Sequence, residues 1–203
     1  MRTILAKLCT ALLVAAASPG AVLAADLPVA PPSPMMRSGA DAPNIVPFAQ
    51  TFSLGTLSLG FESVTLKDMR AKLGSGIIDS LGDGGERIEW LCYDLPGARL
   101  WLTEELSEIS EVTMMKRSKA APVSSHCPAL PAKFHSVKVD GYLTLGTSRA
   151  DLIQRLGQPA RQAGDWLTFH RTSSTKGDEY NELVIRLDNG KVAALWAKRL
   201  TTY

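Results

Sequence analysis

The chain has little of what enzymes and metalloproteins are built from. Its 203 residues hold three cysteines, three histidines and four tryptophans. His126, His135 and His170 stand at no metal-ligand spacing, and neither a Cys-x-x-Cys nor a His-Glu-x-x-His frame is present. A Gly-x-Ser-x-Gly elbow is also missing, and Gly74-Ser75-Gly76 is too short to cradle phosphate. Without a convergent set of reactive groups, no catalytic residue, metal or cofactor is expected. An excess of one charge is lacking too. Arg2 and Lys7 account for the formal net charge of +2, and the chain after residue 24 is balanced. Balance disfavours nucleic acid and anionic lipid as partners. Beyond the N-terminus no apolar run approaches the ~20 residues that span a bilayer, so no stable membrane anchor is expected in the mature chain.

What is present begins with an export signal. In "MRTILAKLCTALLVAAASPGAVLAAD" a basic start precedes an apolar stretch from Leu8 to Ala17, and Ser18-Pro19-Gly20 breaks it. Small or aliphatic residues at Val22, Leu23 and Ala24 predict signal-peptidase cleavage between Ala24 and Ala25. Residues 1–24 therefore read as a signal peptide, and the mature protein as periplasmic or secreted. Cys9 lies inside the apolar stretch behind Ala6-Lys7-Leu8, which is no lipobox. Prolines 28, 31, 32, 34, 43 and 47 block helix and central strand, so residues 25–50 read as a disordered, partly polyproline-like leader.

The folded part is expected over 51–203, and it repeats itself. "TLKDMRAKLG" (Thr65 to Gly74) matches "SRADLIQRLG" (Ser148 to Gly157) at a constant offset. Thr65 and Ser148 can cap a helix whose first turn carries Asp68 or Asp151, while Gly74 and Gly157 suit its end. Leu66, Met69 and Leu73 fall on one helical face, as do Leu152, Ile153 and Leu156. Three strand-like runs follow each helix: "RIEWLCYDL", "ARLWLTEE" and "SEVTMMKR", then "DWLTFHRT", "NELVIRL" and "KVAALWAKRL". Pro96-Gly97 and Asn189-Gly190 mark hairpin turns. The expected fold class is α+β. It comprises two tandem repeats, 51–126 and 127–203, each a short helical segment followed by an antiparallel β-meander, packed helices-on-sheet.

The segment "LGTSRADLIQRLGQP" followed by a hairpin meander resembles the outer-membrane assembly family BamE (SmpA/OmlA). Two such units in tandem resemble the β-lactamase inhibitory protein-like fold. The resemblance implies a non-catalytic exported protein that binds a protein partner in the cell envelope through its sheet or loops. It does not extend to a lipid anchor or to inhibitor contact residues.

Two cysteines remain in the mature chain, Cys92 and Cys127. In an exported protein an even pair favours a disulfide, worth about 3 to 4 kcal/mol by loop-closure entropy. Strand alternation places Leu100 and Leu102 on one face of "ARLWLTEE", and Arg99, Trp101 and Thr103 on the other. In "KVAALWAKRL" Trp196 and Lys198 share a face. If the leucines meet the helices, Trp101 and Trp196 turn away from the core beside Arg99 and Lys198. These four are the candidate partner-binding residues, since tryptophan with neighbouring cations is typical of binding hot spots. The competing expectation is that both tryptophans fill the join between the units. Trp90 and Trp166 read as core, and Glu104, Glu105, Glu108 and Glu111 as a solvated edge. The function expected is a non-catalytic protein-binding module of inhibitor or envelope-assembly type. The alternatives are a periplasmic carrier of a small molecule or cell-wall ligand in a pocket between units, and a structural component held by the leader.

Overall fold

The computed structural model describes residues 28–34, 47–83, 87–117, 124–173 and 178–202. The expected signal peptide and the Ala24–Ala25 cleavage site lie outside the described residues, as do residues 35–46 of the leader. Described elements run β1 (Thr51–Leu54), β2 (Leu57–Gly60), α1 (Leu66–Leu73), β3 (Ile78–Leu81), β4 (Ile88–Leu95), β5 (Ala98–Glu105) and β6 (Glu108–Lys116). They continue with β7 (Val137–Val139), α2 (Arg149–Leu156), β8 (Arg161–Ala163), β9 (Trp166–Ser173), β10 (Asp178–Asp188) and β11 (Lys191–Thr202).

The strands form two antiparallel sheets. Eight of them order as β3-β4-β5-β6-β11-β10-β9-β8, and three order as β2-β1-β7. The α+β expectation of two helix-plus-meander repeats packed helices-on-sheet is overturned by this arrangement, which is mostly β. The reason is one of reach. Two eight-residue helices are each about 12 Å long, whereas eight strands span roughly 35 Å. Much of the cover comes instead from the small sheet, whose Phe52, Leu54, Val137 and Val139 join the same buried cluster as Leu91, Leu100 and Leu102 of the large one.

Locally, the turn and cap chemistry behaves as its residues dictate. Thr65 Oγ1 accepts the amide of Asp68 at 3.1 Å, and Ser148 Oγ that of Asp151 at 3.1 Å. Asn189 and Gly190 take φ of 51° and 71°, as a tight hairpin turn with right-handed strand twist requires. Each helix start leans on a hairpin. Leu66 N donates to Glu104 Oε2 at 2.7 Å, and Arg149 N donates to the Gly190 carbonyl at 2.9 Å. The two halves of the large sheet meet where β6 pairs with β11, Thr113 facing Trp196.

Part of the proline-rich stretch has a fixed place. Phe48 and Ala49 are buried in the main core. Their chain is held by Asp140, whose carboxylate accepts the amides of Ala49, Gln50 and Thr51 at 2.7, 2.9 and 2.9 Å. Residues 28–34 lie on the opposite face of the large sheet, as the contacts of the tryptophans show.

Candidate functional site: a tryptophan face under a proline-rich strap

Alternation decides which side chains reach the second face. Along β5, Leu100 and Leu102 enter the main core while Trp101 joins a separate cluster with Trp90, Cys92 and Cys127. Along β11, Leu195 and Ala197 enter the core while Trp196 clusters with Val184 and Ala194. Trp101 and Trp196 both face Thr113 on the intervening strand, so they stand in one row across β5, β6 and β11. Trp166 stacks on Trp196 with ring centroids 5.6 Å apart. Trp90 is buried as expected, in this second cluster instead of the main one, whereas Trp166 is only partly buried against Trp196. Their neighbours Leu91 and Leu167 hold the core phase of β4 and β9, which sends both tryptophans to the other face.

The four candidate binding residues lie on that second face, but the face is covered. Trp101 is 0% exposed and Trp196 3%. Neither an open surface nor a simple join between units describes them, because the chain's own residues 28–34 cross over both. Trp101 Nε1 donates to the Val29 carbonyl at 2.8 Å, and Trp196 Nε1 donates to the Pro32 carbonyl at 2.6 Å. Arg99 Nη1 donates to the Pro28 carbonyl at 3.2 Å. Val29 and Ala30 also pack against the cluster that holds Trp101. Sequence reasoning found the face through period-2 alternation and missed its cover, since proline-rich composition is the same whether a segment is docked or free.

The cations of the site are already paired. Arg99 is fully buried and grips Asp94 through Nε at 2.7 Å and Nη2 at 3.2 Å, and Arg117 reaches the same carboxylate at 3.1 Å. Lys198 Nζ donates to both carboxylate oxygens of Glu105, at 2.7 and 2.9 Å. Glu104 caps α1 and Glu111 accepts from Thr113 Oγ1 at 2.9 Å, so this acidic run is divided among separate partners instead of forming one solvated edge. Cys92 and Cys127 form the expected disulfide, which holds the 124–130 connector against β4. Asp94 N donates to the Pro128 carbonyl and Leu130 N to the Asp94 carbonyl. A disulfide is the bond of an oxidising compartment and is compatible with the expected export.

The remaining titratable groups bear on other chemistry. His126 Nδ1 lies 3.0 Å from Asp79 Oδ2, and His135 Nε2 2.7 Å from the Leu130 carbonyl. Among the described residues no group of three His, Cys, Asp or Glu is placed to hold a metal, and no helix is long and apolar enough to cross a membrane. A cleft of about 690 Å³ opens beside β11, lined by Gln50, Glu62, Glu105 and Arg199 among others. Its polar groups hold each other: Arg199 donates to Gln50 Oε1 at 2.7 Å and lies 3.4 Å from Glu62, which also accepts from Thr201 N at 2.6 Å. Nearby, burial pushes the Glu179 carboxyl up, but hydrogen bonds from Asn181 and Gln50 and the charge of Arg199 outweigh it. The net result lies below the ordinary 4.5.

Comparison with known proteins gives little to add to this geometry. No family model matches the chain, and no curated protein matches it. One solved structure, a cysteine-rich secretory protein from Staphylococcus aureus subsp. aureus Mu50, is similar at a TM-score of 0.37 and 11% identity. The match covers 66% of this chain and 44% of that one, so the chain spans less than half of the neighbour's length. A likeness of that size carries no conclusion about function, and none of these comparisons bears on the BamE-like resemblance of the two helix motifs.

Proposed function

We propose that this is an exported, periplasmic, non-catalytic protein-binding module, of inhibitor or envelope-assembly type, that engages a protein partner in the cell envelope through its tryptophan face. The observation that carries the reading is the pair of indole N–H groups, Trp101 Nε1 and Trp196 Nε1, each donating to a peptide carbonyl. A face that takes backbone carbonyls of one extended segment has the chemistry to take those of another. Tryptophan supplies large apolar contact with one polar handle, the combination that dominates protein interfaces.

The test is a cross-linked pull-down from envelope extract with the mature chain 25–203 as bait, beside a Trp101→Phe/Trp196→Phe variant. Phenylalanine keeps a ring in each position and removes only the donor and part of the area. A discrete protein captured by wild type and lost from a variant with native circular dichroism supports the reading. Capture that ignores both tryptophans, or no capture, overturns it.

A further inference from the structure

We propose that the tryptophan face is a recognition groove for proline-rich peptide, that its partner is a proline-rich segment of another protein, and that residues 28–34 are a resident self-ligand which that segment displaces. The proposal rests on the binding-module reading and names its ligand class.

Donor and acceptor inventory comes first. The strand backbones under the groove spend their hydrogen bonds within the sheet, so the face offers side-chain groups only. Tryptophan and arginine are donors without acceptor capacity. Arg99, Trp101 and Trp196, the side chains that hold the strap, are therefore all donors. Proline-rich chain is the matching opposite, rich in carbonyls and poor in N–H groups, because proline has no backbone donor. Pro28, Pro31, Pro32 and Pro34 give the strap that character, and three of its carbonyls are used: Pro28, Val29 and Pro32. An ordinary peptide laid in the same place would bury N–H groups against donors, each unpaired one at a cost.

Spacing points the same way. Trp101 on β5 and Trp196 on β11 are two strand steps apart, roughly 10 Å at the usual interstrand distance. A polyproline-type chain has three residues per turn and advances about 9 Å over them, presenting carbonyls i and i+3 on one side. The strap makes its two indole contacts at the same i, i+3 separation, Val29 to Trp101 and Pro32 to Trp196. It bends at Val29 and Ala30 and shows no further bend through Pro34.

The self-ligand leaves two polar groups over. Trp90 packs in the same cluster as Trp101, Val29 and Ala30, is 5% exposed, and its Nε1 has no hydrogen-bond partner among the described residues. Thr103, its cross-strand neighbour, likewise has a buried Oγ1 without one. Burying such a group unpaired is costly, and a partner segment that adds a carbonyl there gains what the strap does not provide. That difference is what lets a foreign segment compete with one that is tethered, although tethering confers a millimolar-scale effective concentration.

The experiment uses the full mature chain and a fluorescein-labelled peptide of residues 27–34, LPVAPPSP, read by fluorescence anisotropy. A Val29→Asp/Pro32→Gly variant releases the strap, because a carboxylate is rejected from the Trp101 cluster. It is expected to bind the probe at least about tenfold more tightly than wild type, which must first open its own strap. A probe with one glycine inserted between Ala30 and Pro31 shifts the i, i+3 register and is expected to bind the released variant at least about tenfold more weakly, as is adding Trp196→Phe to that variant. A released variant with native circular dichroism and intact disulfide that binds neither probe, or both equally, overturns the proposal. So does a wild-type dimer dissolved by the probe, since that gives the groove to a second copy of the chain. Loss of probe binding beside tryptophan-dependent capture in the pull-down overturns the ligand class alone. Loss of both overturns the module.

Discussion

Asp94 carries two guanidinium groups in a place where water does not reach. Its oxygens meet Arg99 at 2.7 Å and Arg117 at 3.1 Å, with Asp94 and Arg99 at most 5% exposed. Arg99→Ala leaves Asp94 with Arg117 as its remaining buried partner, so it is expected to lower unfolding free energy by about 1 to 3 kcal/mol in urea titration. Arg99→Met, which keeps most of the stem volume, is expected to lose less than Arg99→Ala, and the gap between them separates packing from charge. Glu179 offers the pH counterpart. Its folded value lies below the ordinary 4.5, so its contribution is fully present above 4.5 and lost as pH falls through the folded value. Between about pH 6 and about pH 3 the wild type is expected to lose more stability than Glu179→Gln. A Glu179→Gln variant with the same acid slope as wild type shows that the Asn181, Gln50 and Arg199 contacts do not favour the charged form.

At the scale of elements, what the sequence discloses depends on how far apart the partners lie. Each helix is announced by residues three apart, and both announcements hold: Thr65 binds the Asp68 amide and Ser148 the Asp151 amide. Thr65→Ala and Ser148→Ala are each expected to cost about 1 kcal/mol. The double variant should cost the sum within about 0.5 kcal/mol, because the two caps share no partner. A double variant that unfolds far more readily than the sum predicts links the two helices through the core. The six long strands were legible from β-branched and aromatic runs, and their hairpins from Pro96-Gly97 and Asn189-Gly190. The small sheet was not. β1 and β7 are four and three residues long and pair Phe52 with Val139 across more than eighty positions, a contact that no local pattern encodes. Missing it led to an α+β expectation in which short helices had to cover a sheet far wider than themselves. Trp90 and Trp166 separate burial from face. Trp90 is buried as expected, but in the second cluster, because Leu91 and Leu167 give the main core the neighbouring phase of β4 and β9.

For the whole molecule, the decisive arrangement is two-sided burial of one sheet by two different means. One face meets the helices and the three-stranded sheet, which form a conventional apolar core. The other meets the connector and the strap, and there the apolar cover is thin: Val29 and Ala30 over Trp101, and Cys127 over Cys92 and Trp90. The disulfide therefore has two effects that can be separated. It closes a loop spanning 35 positions, worth about 3 to 4 kcal/mol through the unfolded chain, and it pins the connector beside the site where the strap docks. Reduction, or Cys92→Ala/Cys127→Ala, is expected to lower unfolding free energy by about 3 to 4 kcal/mol in urea titration. If the bond acts only on the unfolded state, amide exchange in residues 28–34 stays as it is under native conditions, while exchange through global unfolding accelerates. If pinning also matters, the strap residues exchange faster in the variant than the loss of global stability predicts. That second outcome would make the disulfide a determinant of how readily the tryptophan face opens, beyond its role as a staple for the fold.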